Sequence, residues 1–252
     1  MIKYLFSINP GRSGSHYLSN VLSHVKGISS NHEPSPRMNG KEMMEFLKGK
    51  NEGLVKLMPQ KIKSIHENLG VNECYVETSH LFIKGFGWMI PEYIPQEEIG
   101  VIVLKREKQK VIESLYRIHT TPLSYHGRMW VMFPSMKNAI NKINNLNLIK
   151  YRFLYLLNRL IRTGYNPFRK LRIEKKLFPK YEKELTEWYI NETYAQGELF
   201  IKKFPKIKVY NTNVENLNKV EEFEKMFDFF NLNFRPKPSF FEVINKKTNL
   251  KR

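Results

Sequence analysis

Ile2-Lys3-Tyr4-Leu5-Phe6-Ser7-Ile8 runs directly into Asn9-Pro10-Gly11-Arg12-Ser13-Gly14-Ser15-His16, and the architecture turns on this passage. The first part is a short apolar run rich in aromatic and β-branched residues, the pattern of a buried strand. Pro10, Gly11 and Gly14 break it. From Ser15 the apolar residues Tyr17, Leu18, Val21, Leu22 and Val25 recur at helical spacing. Strand, glycine-bearing turn and helix in this order bring backbone N–H groups and the positive end of a helix dipole toward one point, which favours a bound anion. Arg12 adds a full charge and a planar fork suited to phosphate or sulfate oxygens. An ordinary turn of an α/β protein is the plain alternative.

With 252 residues, 41% hydrophobic and 13% aromatic, the chain can bury the core of a single α/β domain carrying a helical elaboration. Its one cysteine, Cys74, excludes an internal disulfide, and no Cys/His cluster has zinc spacing, so no metal is expected. The opening apolar run is too short for a signal peptide, and no stretch reaches bilayer-spanning length; the expectation is a soluble cytoplasmic protein. The formal charge of +18 implies attraction to polyanions or, more plainly, a solvated basic surface.

Further along, Asn31-His32-Glu33-Pro34 is expected to close a second strand with His32 and Glu33. A carboxylate beside an anion loop suits a general base, and a solvated turn equally well. Residues 40–69 read as helical, and Cys74-Tyr-Val-Glu-Thr-Ser-His80 as a strand with His80 at its carboxyl end. Ile99-Gly-Val-Ile-Val-Leu-Lys-Arg106 is the clearest buried strand; Arg106 ends it and Ser114 lies eight residues on, in the following helix. Residues 137–163 and 182–204 read as helices of an insertion, with Tyr125–Phe133 a loop or lid before them. Between Lys150 and Lys180 eight cations meet one acid, Glu174, and the interleaved apolar residues give an amphipathic helix. Such a segment suits acidic polysaccharide or a membrane surface, or a core helix with a basic outer face. A last strand starts at Lys208, a helix spans 221–231, and residues 245–252 form a basic tail.

The turn is not a Walker A loop, because no lysine follows Gly14, and it lacks dinucleotide G-x-G-x-x-G spacing. Taken together, the segments resemble the sulfotransferases that use 3′-phosphoadenosine 5′-phosphosulfate (PAPS). Pro10-Gly-Arg12-Ser-Gly14-Ser15 resembles that family's 5′-phosphosulfate loop. Lys105-Arg106 through Ser114-Leu-Tyr116 resembles its 3′-phosphate motif. Val209-Tyr-Asn-Thr-Asn-Val-Glu215, with the helix after it, is similar to its closing strand and helix. The likeness covers about residues 1–118 and 205–235 and leaves the middle unmatched. Two departures stand out: His16 replaces the family's usual Ser or Thr, and Arg12 replaces the Lys of the cytosolic small-molecule members.

The resemblance implies a three-layer, P-loop-like α/β fold with a central parallel sheet and a mainly helical insertion. It implies a single domain, with residues 1–118 and 205–252 as nucleotide-binding core and about 119–204 as acceptor-side insertion. It assigns Gly11, Arg12, Ser13, Gly14, Ser15, His16, Arg106 and Ser114 to PAPS, and Arg12 also to the leaving phosphate. Glu33 is the preferred base, as in the bacterial and carbohydrate-sulfating members. His80 is the rival, in Thr78-Ser79-His80-Leu81. The implied reaction moves a sulfuryl group to a hydroxyl or amine of a small molecule or glycan without a metal, and no specific nucleic-acid partner is expected. A P-loop small-molecule kinase and a non-catalytic polyanion or nucleic-acid binder are the alternatives.

Overall fold

In the computed structural model, which describes residues 1–162 and 178–245, the expected strands align side by side. β1 (Tyr4–Ile8), β2 (Ile28–Asn31), β3 (Cys74–Glu77), β4 (Ile99–Lys105) and β5 (Lys208–Asn213) make one five-stranded sheet, ordered β2-β3-β1-β4-β5. Every pairing is parallel, with Tyr4 opposite Tyr75 on one side and Ile99 on the other. A parallel sheet needs crossovers over its faces, so its strands are covered on both sides and read as continuous apolar runs. All five residues of β1 are accordingly buried.

The helices are α1 (Ser15–Leu22), α2 (Gly40–Leu47), α3 (Glu52–Leu69), the single turn α4 (Ile90–Tyr93) and α5 (Lys108–Arg117), then α6 (Asn145–Arg162), α7 (Pro179–Lys203), α8 (Val220–Phe230) and α9 (Pro238–Asn245). Phe6, Ile8, Tyr75 and Val101 meet Leu54, Met58 and Ile65 of α3 and Phe200 of α7 on one face. On the other, Leu5, Val76, Ile102 and Leu104 meet Leu18 and Val21 of α1, Phe223 and Phe227 of α8, and Phe240 of α9. Each large side chain so buried contributes roughly 1.5–3 kcal/mol. The result is three layers, with α6 and α7 inserted between β4 and β5. The chain leaves β1 toward β2 and leaves β4 toward β5, in opposite directions. The crevice at the carboxyl ends of these two strands is therefore the topological switch point, where open α/β sheets hold their ligands.

Several boundaries differ from the sequence reading. β2 ends at Asn31, so His32 and Glu33 lie beyond it, with Glu33 at φ 50°. β3 ends at Glu77, three residues before His80. The helix expected over 40–69 is two helices, parted at a turn where Gly49 takes φ 86°. The helix expected from 137 starts at Asn145, because tertiary partners claim the backbone before it. The Glu192 carboxylate accepts the N–H groups of Ile140 and Asn141 at 2.9 and 2.8 Å, and Asn144 Oδ1 then caps the helix by accepting Asn147 N–H at 2.8 Å. α9 was not expected; Phe240 and Ile244 bury it against α1 and α8. The cations at 169–176, Glu174 and the tail from Lys246 lie outside the described residues.

Gly14 caps α1 in a left-handed conformation, φ 93° and ψ 10°. A Cβ there would stand 2.3 Å from Val214 Cγ2, at the end of β5. Gly14→Ala should therefore lower the unfolding midpoint through two separable costs, about 1–3 kcal/mol of backbone strain plus the clash. Adding Val214→Ala should remove the clash and leave the strain. Equal midpoints for the single and double variants in thermal denaturation would refute the proposed contact.

Candidate active site

At the carboxyl ends of β1 to β4 opens a cleft of about 640 Å³. Its floor is the turn after β1. Gly11 at φ 82°, Arg12 at φ 56° and Gly14 at φ 93° place three of four consecutive residues in left-handed backbone. Asn9 holds this shape. Its buried Oδ1 accepts the Gly11 N–H at 2.9 Å and the Ser13 hydroxyl at 3.1 Å, while its Nδ2 donates to Ser7 Oγ at 2.8 Å. Asn is suited to this because its amide offers both acceptor and donor. Gly11 is also needed for space, since a Cβ there would lie 3.1 Å from the His80 ring.

Cations crowd one end. Arg12 Nε donates to Ser114 Oγ at 2.9 Å, and Arg106 Nη1 donates to the Arg12 carbonyl at 2.8 Å. The motif after β1 and the motif after β4, distant in sequence, thus form one cluster, with Arg117 and Lys110 on the same wall. Burial lowers the Arg12 pKa from its ordinary value, and the charges of Arg117 and Arg106 push it the same way. Guanidinium groups held together in mutual repulsion are stabilised by an incoming anion. Glu113 also lines this end, its carboxylate accepting Gln109 Nε2 at 2.8 Å.

Glu33 and His80 meet at the other end. His80 Nε2 lies 3.3 Å from Glu33 Oε1, and His32 Nε2 lies 4.0 Å from the same oxygen. Lys84, wholly buried, lies behind His80. Its Nζ contacts His80 Nδ1 at 2.9 Å, the Trp130 carbonyl at 2.7 Å and Tyr189 Oη at 2.7 Å, and Tyr189 Oη in turn donates to the Pro10 carbonyl at 2.6 Å. Three acceptors match the three protons of an ammonium. With Nδ1 accepting from Lys84, the imidazole carries its proton on Nε2, the atom that faces Glu33 Oε1 at 3.3 Å. Burial holds the His80 pKa well below its ordinary value, and Lys84 and His32 add to this. Burial likewise lowers Lys84, which the Glu33 charge partly offsets. His32 is lowered too, chiefly by burial; Glu33 and the bond from its Nδ1 to the Thr78 carbonyl at 2.8 Å oppose the shift.

Of the residues expected from sequence, Gly11, Arg12, Gly14, Ser15, His16, Glu33, His80, Arg106 and Ser114 all line the cleft. Ser13 does not, its hydroxyl being spent on Asn9. Glu33 and His80, read as rivals, are neighbours, 3.3 Å apart. His126 and Trp130, from the segment expected as a loop or lid, line the cleft as well. Asn9, Lys84, Arg117 and Tyr189 were not singled out for the site. Lys84 had a legible sign, a lone cation in the apolar run Leu81-Phe82-Ile83-Lys84-Gly85-Phe86. Tyr189, deep within α7, had none. Among the described residues no group of His, Cys, Asp or Glu is arranged to hold a metal ion.

No protein-family model matches the chain, and no curated protein matches it. Among solved structures it is similar to a sulfotransferase domain from the curacin biosynthetic pathway, with a TM-score of 0.53 at 13% sequence identity over 96% of this chain and 78% of that one. The chain has a sulfotransferase fold. A sulfotransferase from Alicyclobacillus acidocaldarius also matches, at 14% identity over 96% of this chain and 89% of that one, with a TM-score of 0.47. The motif resemblance and this sulfotransferase fold agree, and the cleft just described occupies the fold's switch point.

His80 and His32 give the cleft a pH signature. Both are held below the ordinary histidine value of 6.5, so the unfolded chain binds more protons than the folded one as pH falls past that value. Their contribution is complete above it and is lost below it. The unfolding midpoint should drop between about pH 7 and about pH 5, and less steeply in His32→Gln/His80→Gln. Parallel profiles for the two proteins in scanning calorimetry would mean that both imidazoles charge freely in the fold.

Proposed function

We propose that the chain is a sulfotransferase that moves the sulfuryl group of PAPS to a hydroxyl or amine of a polar acceptor, such as a carbohydrate, by in-line displacement. The observation carrying this reading is the joining of Arg12, Ser114 and Arg106 through bonds of 2.9 and 2.8 Å at the mouth of the left-handed turn. Two anion-binding motifs then face one cleft, as a nucleotide phosphorylated at both its 3′ and 5′ positions requires. The depressed Arg12 pKa supports the same reading, because a multiply charged anion relieves the repulsion behind it.

The turn and Arg12 hold the 5′-phosphosulfate; Arg106 and the Ser114 hydroxyl hold the 3′-phosphate. The acceptor oxygen attacks sulfur as the bond from sulfur to the 5′-phosphate oxygen breaks. The electron pair of that bond leaves with 3′-phosphoadenosine 5′-phosphate, and Arg12 stabilises the charge that develops there. The acceptor's proton passes to Glu33. His80 is a positioning residue: its Nε2 faces Glu33 Oε1 at 3.3 Å, and Lys84, bonded to Nδ1, favours the tautomer that carries the proton on Nε2. Thr120, His126 and Trp130, whose ring centroid lies 6.1 Å from that of His80, also line the cleft and mix polar and aromatic surface suited to a sugar-like acceptor.

Titration calorimetry with 3′-phosphoadenosine 5′-phosphate should show saturable binding, weakened in Arg106→Ala by about 1.5–3 kcal/mol, the worth of a hydrogen bond to a charged group. Absence of binding, or binding only of magnesium-ATP, would overturn the proposal in favour of a polyanion binder or a kinase.

Glu33→Gln should keep nucleotide affinity and lower single-turnover transfer from labelled PAPS by about 10²–10⁴. An unchanged rate would remove Glu33 from the base role.

A further inference from the structure

Among the described residues, α6 presents an apolar stripe to solvent. Leu146, Ile149, Phe153, Leu156 and Leu160 are 82%, 63%, 59%, 51% and 57% exposed. Their spacing of three, four, three and four residues confines them to one narrow face, about 20 Å long at the helical rise. The opposite face, with Tyr151, Leu154 and buried Asn158, packs on Leu123, Phe133 and Leu185. The stripe is therefore a second apolar face, beyond the one the core uses. Five large neighbouring side chains exceed the scattered exposure of an ordinary surface.

Charge indicates what covers it. Lys150 borders the stripe on one side, and Arg152 and Arg159 border it on the other. Asn145–Arg162 contains no Asp or Glu. Two copies of this helix face to face would oppose these cations to their like without any acid on the helix to neutralise them. An anionic bilayer matches these cations with charge of the opposite sign: long cationic side chains reach its headgroups while an apolar stripe enters the acyl boundary. No helix among the described residues is long and apolar enough to cross a membrane.

We infer that α6 is an interfacial docking helix that holds the protein on the surface of an anionic membrane. The inference does not depend on the chemistry of the cleft, although the two are physically joined. Asn158 Nδ2 donates to the Leu123 carbonyl at 2.7 Å, tying α6 to the segment that carries His126 and Trp130.

The protein should co-sediment with vesicles of phosphatidylcholine mixed with phosphatidylserine, not with phosphatidylcholine alone, and salt should weaken the binding. Ile149→Gln/Phe153→Gln/Leu156→Gln should reduce partitioning roughly tenfold or more, through lost apolar burial. Arg152→Glu/Arg159→Glu should abolish the preference for the anionic lipid. These side chains are exposed, and circular dichroism checks that each variant folds. Phe153→Trp gives an independent reading: its emission, as a difference from the wild type, should shift to the blue on anionic vesicles. Unchanged partitioning of the apolar variant, or an unshifted Trp spectrum, would overturn the inference. So would a wild-type dimer in sedimentation velocity that the apolar variant disperses, which would assign the stripe to a second copy.

Discussion

One buried ammonium group holds the cleft together. Lys84 joins His80 beyond β3, the backbone at Trp130 and, through the Tyr189 phenol, the turn after β1 at Pro10. Removing a lysine from water costs several kcal/mol, and the cost is tolerable because every Nζ proton has an acceptor. Burial holds the Tyr189 hydroxyl far above its ordinary pKa, so it remains a phenol able to receive from Lys84 and give to Pro10. Four stretches remote in sequence are thereby registered by bonds of 2.6 to 2.9 Å. By occupying Nδ1, Lys84 leaves the imidazole proton on Nε2, the side that faces Glu33.

The cleft is consequently polarised. Arg12, Arg106, Arg117 and Lys110 gather where β1 and β4 end, and the carboxylate with its two imidazoles gathers where β2 and β3 end. This separation follows from the topology, since each strand delivers its own loop to the same edge of the sheet. A reactant bound between the two ends meets charge stabilisation on one side and a proton acceptor on the other, without either having to move.

What could be read from sequence was local and periodic. β4 and the helix after it were legible because an apolar run and a helical repeat met at Arg106, and the interval to Ser114 marked two residues that both line the cleft. β1 and its turn were legible from two glycines in left-handed positions. The readings failed where distant groups overrule local preference. Residues 137–144 have helical spacing, but Glu192 on α7 takes their N–H groups at 2.8 and 2.9 Å. Glu33 looked like the end of a strand, and its φ of 50° belongs to a turn set by its surroundings, with Arg37 Nε donating to its carbonyl at 2.6 Å. Asn9 and Tyr189 were hidden for a related reason: each fixes a backbone group of the turn, the Gly11 N–H and the Pro10 carbonyl, and backbone groups have no sequence signature.

The Tyr189 bond to Pro10 also bears on how this architecture can diversify. The insertion between β4 and β5, which the resemblance assigns to the acceptor side, is the part with no counterpart in the motif resemblance, yet one of its helices supports the turn expected to bind the donor. The two halves are not independent modules. An insertion transplanted from a relative to alter selectivity must bring a phenol to the position of Tyr189, or both Lys84 and the turn lose a partner. Exchange of acceptor preference is in this way limited by a single hydroxyl group on the far side of the molecule's division of labour.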